Sequence, residues 1–120
     1  MAEMVNVAVD AMGGDNAPGE IVKGAVDAIN ADKRVKVFLT GREPLLKEEL
    51  RKYTYDGAQL EIVHAEEVIE TGEPPVMAIR KKKDSSIVKC MYLVKEGKCD
   101  ALVSAGSTGA VLVGGQVIVG

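Results

Sequence analysis

Four short apolar runs, separated by segments of helical periodicity, constrain the fold of this chain more than any other feature. The runs occupy residues 5–9, 35–39, 60–63 and 101–103. Apolar runs of this length are typical of buried strands. Strands that alternate with helices predict an α/β fold, in which a mostly parallel sheet carries helices on both faces. The 120 residues suffice for a single α/β unit with its own core.

Three helices are expected between these strands. The first begins near Pro18, the second near Pro44, and the third after the helix-capping sequence at residues 84–86. The third helix is expected to end at Gly97. Helical spacing predicts the following apolar positions: Ile21, Val22, Ala25, Ala28 and Ile29 in the first helix, Leu45, Leu46 and Leu50 in the second, and Ile87, Cys90, Met91 and Val94 in the third.

The composition argues against several classes of function. A net charge of −3 provides no general attraction to nucleic acid. The N-terminus lacks the basic and apolar regions of a signal peptide, and no apolar run reaches the roughly 20 residues of a membrane-spanning helix. Two cysteines without an export signal favour reduced thiols. A cytoplasmic location is therefore expected.

A polar residue ends each apolar run. These residues are Asp10, Thr40, His64 and Ser104. Because parallel strands end at the same edge of a sheet, and ligands bind at that edge, we expect these side chains to lie along a single ligand-binding edge. Polar residues also end strands for solubility alone.

The segment VSAGSTGA at residues 103–110 predicts a strand, a tight turn and the start of a helix. Exposed amides and the helix dipole at such a start favour an anion, most often phosphate. The candidate phosphate ligands of this turn are Ser104, Gly106, Ser107, Thr108 and Gly109. The alternative is a plain connection in which the Ser and Thr residues only cap the helix.

A second glycine-rich loop follows the first strand. Gly13 and Gly14 relieve steric limits on the backbone, and Asp10 and Asp15 flank them, with Asn16 next in the chain. The loop matches neither the dinucleotide fingerprint nor the P-loop. Solvated acids that cap a helix are the alternative interpretation. Two acids without a third ligand of clear spacing argue against a metal site.

A basic run occupies residues 80–83 and is followed by the hydroxyls of Ser85 and Ser86. Arg80 and Lys83 lie three residues apart, so they are expected to share a helical face and to point at a phosphate or at an acidic protein. Most such runs are solvated surfaces, which is the alternative here.

Three motifs together resemble the phosphate acyltransferases of bacterial phospholipid synthesis, the PlsX family. They are VDAMGGD at 9–15, AIRKKKDSS at 78–86 and VSAGSTGA at 103–110. The resemblance runs along essentially the whole chain but covers only the N-terminal third of family members, so the chain is expected to be part of a longer enzyme. The apolar segment at 111–119 supports this expectation, since it would need burial on every side. One departure is Ser107, where the family usually has Asn.

The resemblance implies transfer of a fatty acyl group from acyl carrier protein to orthophosphate, giving acyl phosphate, without a cofactor. It also implies a fold similar to isocitrate and isopropylmalate dehydrogenases and to phosphotransacetylase. A homodimer loosely associated with the inner face of the membrane is expected.

The chemistry assigns roles to the motifs under this hypothesis. The turn at 104–109 holds phosphate, and Gly13 and Gly14 let substrate approach. Arg80 and Lys83 compensate negative charge on phosphate and on the oxyanion, whereas Asp10 and Asp15 orient these cations or accept a proton.

Other interpretations stay open from the sequence. They are a coenzyme A-dependent transacetylase or a nicotinamide-dependent dehydrogenase on the same scaffold, and a non-catalytic anion-binding segment. His64 is an alternative base, and Cys99 an alternative acyl acceptor, although a single histidine is more often structural.

Overall fold

A computed structural model describes residues 4–13, 17–68, 77 and 80–104 of the chain. Within these ranges, four strands form one sheet: β1 (Val5–Asp10), β2 (Val35–Gly41), β3 (Leu60–His64) and β4 (Ala101–Val103). Every strand pair is parallel, and the strand order is β3-β2-β1-β4. The predicted α/β fold with a parallel sheet is confirmed. The predicted apolar helix at residues 111–119 lies outside the described residues.

In the described part of the chain, three α-helices accompany the sheet: α1 (Gly19–Ala31), α2 (Glu43–Leu50) and α3 (Ser86–Lys95). A short 3-10 helix, Gly57–Gln59, precedes β3. Arg80 and Lys81 are also helical. Among the described residues, no helix is both long and apolar enough to cross a membrane.

Each face of the sheet has its own core, because successive side chains of a strand point to opposite faces. On one face, Val37 and Leu39 pack with residues of α1 and α2. On the other face, Ala8 and Phe38 pack with Cys90 and Leu93 of α3. Helices therefore cover both faces, as the alternation of apolar runs and helical segments predicts.

The helix boundaries follow from local signals. Ser85 is the N-cap of α3 and accepts a hydrogen bond from the Val88 amide at 3.3 Å. Gly97 has a φ of 79°, which favours glycine after the end of a helix. Pro18 is the N-cap of α1, one residue before the helix begins.

Two expected apolar positions were wrong. In α1 the buried side includes Val26, whereas Ala28 is exposed, so the buried face is rotated from the predicted one. In α2 only Leu46 and Leu50 are buried, and Leu45 is 44 % exposed. A helix of eight residues on a sheet buries the i, i+4 pair and leaves the flanking position in solvent.

Candidate active site

The carboxylate of Asp10, the last residue of β1, accepts three hydrogen bonds. Ser86 Oγ donates to Oδ1 at 2.5 Å, and Ser104 Oγ donates to Oδ2 at 2.9 Å. The Met12 amide donates to Oδ1 at 3.1 Å. Asp10 is only 3 % exposed, so these donors replace the water that a buried carboxylate loses. One residue from each of the three motifs thus meets at this point.

The topology explains this meeting. β1 lies between β2 and β4, and Val9 is in register with Val103, so Ser104 follows β4 at the level of Asp10. Ser86 is the first residue of α3, which packs on the adjacent face. The positive end of the α3 dipole further favours a carboxylate there.

A buried threonine, Thr40, joins this group from β2. It is in register with Asp10, and its Oγ1 lies 2.7 Å from the Ser86 carbonyl oxygen and 3.1 Å from Cys90 Sγ. Sequence reasoning placed Thr40 at the ligand edge but gave it no role in the site. The available signal was its position at the end of an apolar run. We name Asp10, Thr40, Ser86, Cys90 and Ser104 the β1-end cluster.

Both cysteines are buried thiols. Burial raises the pKa of Cys90 to about 12, partly offset by the Thr40 hydroxyl. Burial also raises the pKa of Cys99, which packs in the same core as Cys90. A nucleophilic thiolate is therefore disfavoured at both positions, which argues against an acyl-cysteine intermediate.

The basic run at residues 80–83 precedes Ser86 of the β1-end cluster in sequence. Glu67 and Ser85 form a parallel bridge, in which the Ser86 amide donates to the Glu67 carbonyl oxygen at 3.0 Å. Lys82 Nζ donates to the Val68 carbonyl oxygen at 2.9 Å. Ser85 and Ser86 are thereby held beside the segment that follows β3.

The two cations expected to act on phosphate, Arg80 and Lys83, are exposed. The expectation that they share a helical face was wrong, because the helical residues end at Lys81 and Lys83 lies in a turn. Within the described ranges, neither cation forms an ion pair or hydrogen bond with Asp10. The described partners of Asp10 are hydroxyls and an amide.

Asp84, which follows the basic run, pairs with other groups. Its carboxylate lies 3.1 Å from Lys89 Nζ and accepts a hydrogen bond from the Glu66 amide at 3.2 Å. The bond to Lys89 is the main reason that the pKa of Asp84 lies below its ordinary value.

His64 lies apart from the β1-end cluster. It ends β3, the outermost strand on its side of the described sheet. Its Nδ1 accepts the Glu43 amide at 3.1 Å, so Nε2 carries the proton and is bonded to the Glu66 carboxylate. His64 caps α2, whose own N-cap residue makes no side-chain cap bond. This arrangement favours the structural interpretation of His64.

The loop after β1 begins with closely packed residues. Ala11 and Gly13 are buried, and the Ala11 amide donates to the Thr40 carbonyl oxygen at 2.9 Å. A Cβ at Gly41 would lie 2.8 Å from Met12 Cγ, so the glycine allows the close approach of Met12. The remaining predicted site residues lie outside the described ranges: Gly14, Asp15, Asn16, Gly106, Ser107, Thr108 and Gly109.

An apolar groove of about 340 Å³ opens between β1 and α1. Val7, Val9, Gly24 and Ala28 line it, and its lining also includes Asp10 and Ser104. Among the described residues, no three His, Cys, Asp or Glu side chains are grouped as metal ligands.

Comparison with known proteins tests the resemblance of the three motifs. The profile of a family described as "Fatty acid synthesis protein" matches residues 5–120. The phosphate acyltransferase of Clostridium beijerinckii is 53% identical over 116 residues, which are 97% of this chain and 35% of the relative. The chain belongs to the PlsX family of phosphate acyltransferases.

Two further members of the PlsX family agree. The phosphate acyltransferase of Clostridium tetani is 52% identical over 97% of this chain and 35% of its own length. That of Clostridium acetobutylicum is 49% identical over 95% of this chain and 34% of its own length. The chain thus spans about a third of the length of the curated relatives that it matches.

Proposed function

We propose that this chain supplies the phosphate-binding edge of an acyltransferase. The enzyme moves a fatty acyl group from an acyl carrier protein thioester to orthophosphate, giving acyl phosphate for phospholipid synthesis. The observation that carries the proposal is the β1-end cluster, in which Asp10, Ser86 and Ser104 bring together one residue of each motif. The names of the relatives support the same chemistry.

The reaction needs little from the protein beyond positioning and charge stabilisation. A phosphate oxygen attacks the thioester carbonyl carbon, a tetrahedral oxyanion forms, and the carrier thiolate leaves as the carbonyl reforms. Holding phosphate in line with the thioester replaces a large entropic barrier. In this proposal the turn from Ser104 to Gly109 holds the phosphate through its amides and the hydroxyls of Ser107 and Thr108.

Asp10 contributes by fixing the elements around the phosphate. Its carboxylate binds Ser104, where the turn begins, and Ser86, where α3 begins. In this proposal Gly13 and Gly14 leave room for substrate, and Asn16, Ser85 and Ser86 are further candidate phosphate ligands. Asp15 orients the cations or accepts a proton from monohydrogen phosphate.

Arg80 and Lys83 compensate the charge of phosphate and of the oxyanion in this proposal. Single-turnover formation of acyl phosphate by the intact protein tests the first of these cations. We expect Arg80→Ala to slow turnover at least about 100-fold, the size typical of a lost oxyanion donor. Arg51→Ala, at an exposed arginine of the α2 end, is the matched control and should leave the rate unchanged. An undiminished rate for Arg80→Ala would remove Arg80 from the site.

The turn is tested by Thr108→Val. The variant should raise the apparent Michaelis constant for phosphate more than the apparent Michaelis constant for the acyl donor. In this proposal only phosphate contacts the turn. Thr54→Val, at an exposed threonine, is the control. Equal effects on the two constants would argue against a phosphate role for Thr108.

The proposed acyl donor is the thioester of acyl carrier protein, an acidic protein that the basic run would attract. Lys81→Glu should abolish the salt-sensitive part of carrier-protein binding, whereas Lys23→Glu on α1 should not. Activity with coenzyme A thioesters but not with carrier-protein thioesters would favour the transacetylase alternative instead.

The assembly and location of the protein remain predictions. A homodimer predicts a doubled mass in sedimentation equilibrium. Peripheral association at the inner face of the membrane predicts salt-sensitive flotation with anionic vesicles, and a neutral vesicle is the control.

A further inference from the structure

Thr40 is fully buried and makes its closest polar contacts with α3. Its Oγ1 lies 2.7 Å from the Ser86 carbonyl oxygen, 3.1 Å from Cys90 Sγ and 3.4 Å from the Val9 carbonyl oxygen. Valine is close to threonine in shape and differs by the hydroxyl, so exchange of the two residues isolates the hydrogen bonds of Thr40.

The direction of these hydrogen bonds follows from which of the groups carry a proton to donate. The threonine hydroxyl carries one proton, and the carbonyl of Ser86 at 2.7 Å is its best acceptor. Either atom of the Thr40–Cys90 contact could donate, but once the hydroxyl proton is directed to Ser86, the S–H of Cys90 is the remaining donor. Burial keeps that proton on Cys90, since its pKa is raised to about 12. Cys90, Thr40 and Ser86 therefore form a chain of donors that ends at the Ser86 carbonyl.

Ser86 is held from three sides. Its amide donates to the Glu67 carbonyl oxygen, its hydroxyl donates to Asp10, and its carbonyl accepts from Thr40. The carbonyl lies in the first turn of α3, where the amide of residue i+4 is already the expected helical donor. The Thr40 hydroxyl is thus a second donor, and it sets the placement of the helix start against the sheet.

We propose that Thr40 is a positioning residue, whose hydroxyl holds the start of α3 so that Ser86 keeps its bond to Asp10. The activity arm of this inference rests on the proposed function, because it assumes that the β1-end cluster supports phosphate binding. Thr40 itself touches no substrate in the proposal and acts only through Ser86.

The test compares Thr40→Val, which removes the hydroxyl, with Thr40→Ser, which keeps it, in the intact protein. Thr40→Val should raise the apparent Michaelis constant for phosphate about fivefold, as expected for loss of one hydrogen bond. It should leave the constant for the acyl donor within about twofold, and Thr40→Ser should restore the phosphate constant. If Thr40→Val does not fold, Thr40→Cys replaces it, since a thiol is a much weaker donor.

A matched control separates positioning from general destabilisation. Leu93→Ala removes packing of α3 on the same face of the sheet but leaves the bond from Thr40 to Ser86, and Leu93 lies outside the β1-end cluster. It should lower the melting temperature without changing the apparent Michaelis constant for phosphate. A constant that is unchanged in Thr40→Val, or raised equally in Leu93→Ala, overturns the proposal.

Hydrogen exchange provides an arm that does not depend on the activity. The Val88 amide lies in the first turn of α3 and donates to Ser85. Its exchange should accelerate in Thr40→Val but not in Thr40→Ser. If the wild-type protein makes no acyl phosphate, the proposed function fails and the exchange result alone decides the role of Thr40. Equal exchange rates in the two variants would then overturn it.

Discussion

The ends of β1 and β3 each carry a titratable residue at the same edge of the sheet, yet the two surroundings differ. Asp10 is 3 % exposed and accepts three hydrogen bonds, whereas the side chain of His64 is 42% exposed and contacts Glu43 and Glu66. β1 is flanked by β2 and β4, and β3 is outermost on its side of the described sheet. Position within the sheet, more than residue type, therefore decides which polar end becomes a buried cluster.

The difference also concerns electrostatics. Around Asp10 the described donors are neutral groups held by secondary structure. Around His64 lie the charged side chains of Arg42, Glu66 and Asp84. Interactions in a buried cluster are strong and costly to break, whereas exposed ion pairs are screened by water and salt. The β1 end is therefore expected to be rigid and sensitive to substitution, and the β3 end tolerant.

The largest expected effect is at Asp10. Asp10→Ala removes the carboxylate acceptor of the buried Ser86 hydroxyl and should lower the free energy of unfolding by about 3 kcal/mol. Asp10→Asn keeps one acceptor oxygen and should cost about half as much, while lowering the proposed activity because only one of the bonds to Ser86 and Ser104 can be kept. Urea unfolding of the intact protein measures both. If Asp10→Ala lowers the free energy of unfolding by less than about 0.5 kcal/mol, the ends of β1 and β3 do not differ in their sensitivity to substitution.

The second effect concerns Cys90 at alkaline pH. Its pKa is raised from 9.0 to about 12 in the folded protein, so the unfolded chain loses the thiol proton first. The contribution of the Cys90 thiol to the free energy of unfolding is fully present below pH 9 and is lost as the pH rises towards 12. The slope approaches about 1.4 kcal/mol per pH unit between these limits. Cys90→Ala should remove this component from unfolding curves measured across that range, and identical slopes would contradict a buried thiol.

The third effect, at His64, should be smaller. His64→Ala removes the acceptor of the Glu43 amide, but water can replace it at this exposed site. The free energy of unfolding should fall by no more than about 1 kcal/mol, with unchanged acyl-phosphate formation. Thermal unfolding and a steady-state assay check the two expectations. A large loss of turnover with intact folding would instead revive His64 as a base.

The smallest effect is expected at Asp84. Its pKa is lowered chiefly by Lys89, so its stabilising contribution is present above the ordinary value of 3.8 and is lost as the pH falls below it. Asp84→Asn should slightly flatten the acid limb of the stability curve. The flattening should shrink in 1 M salt, where the Debye length is about 3 Å. If salt does not change the difference between Asp84→Asn and the wild-type protein, the β3 end is less exposed than its geometry indicates.

Local patterns predicted most of the secondary structure. The predicted strand at 101–103 matches β4, and the other three strands extend one or two residues further, to Asp10, Gly41 and His64. Ser85 and Gly97 bound α3 as their residue types indicate. These features depend on interactions between neighbours in sequence, which is why they can be derived from it.

The errors arose where tertiary contacts prevail over periodicity. Ala28 has the spacing of a buried residue but lines the open groove between α1 and β1, whereas Val26 is buried in the core that also holds Leu46 of α2. The expected face shared by Arg80 and Lys83 does not form, because the helical residues end at Lys81 and Lys82 binds the Val68 carbonyl. Residue spacing cannot predict where a neighbouring segment ends a helix.

The sequence by itself determined the alternation of strands and helices and the polar residue at the end of each apolar run, because both can be read from short stretches of sequence. Only the tertiary structure decided that Asp10 would be enclosed by Ser86 and Ser104, which lie 76 and 94 residues away along the chain. That enclosure requires β4 to pair beside β1 and α3 to cover the opposite face from α1. Strand order is set by packing of the whole unit, and no local stretch of sequence encodes it.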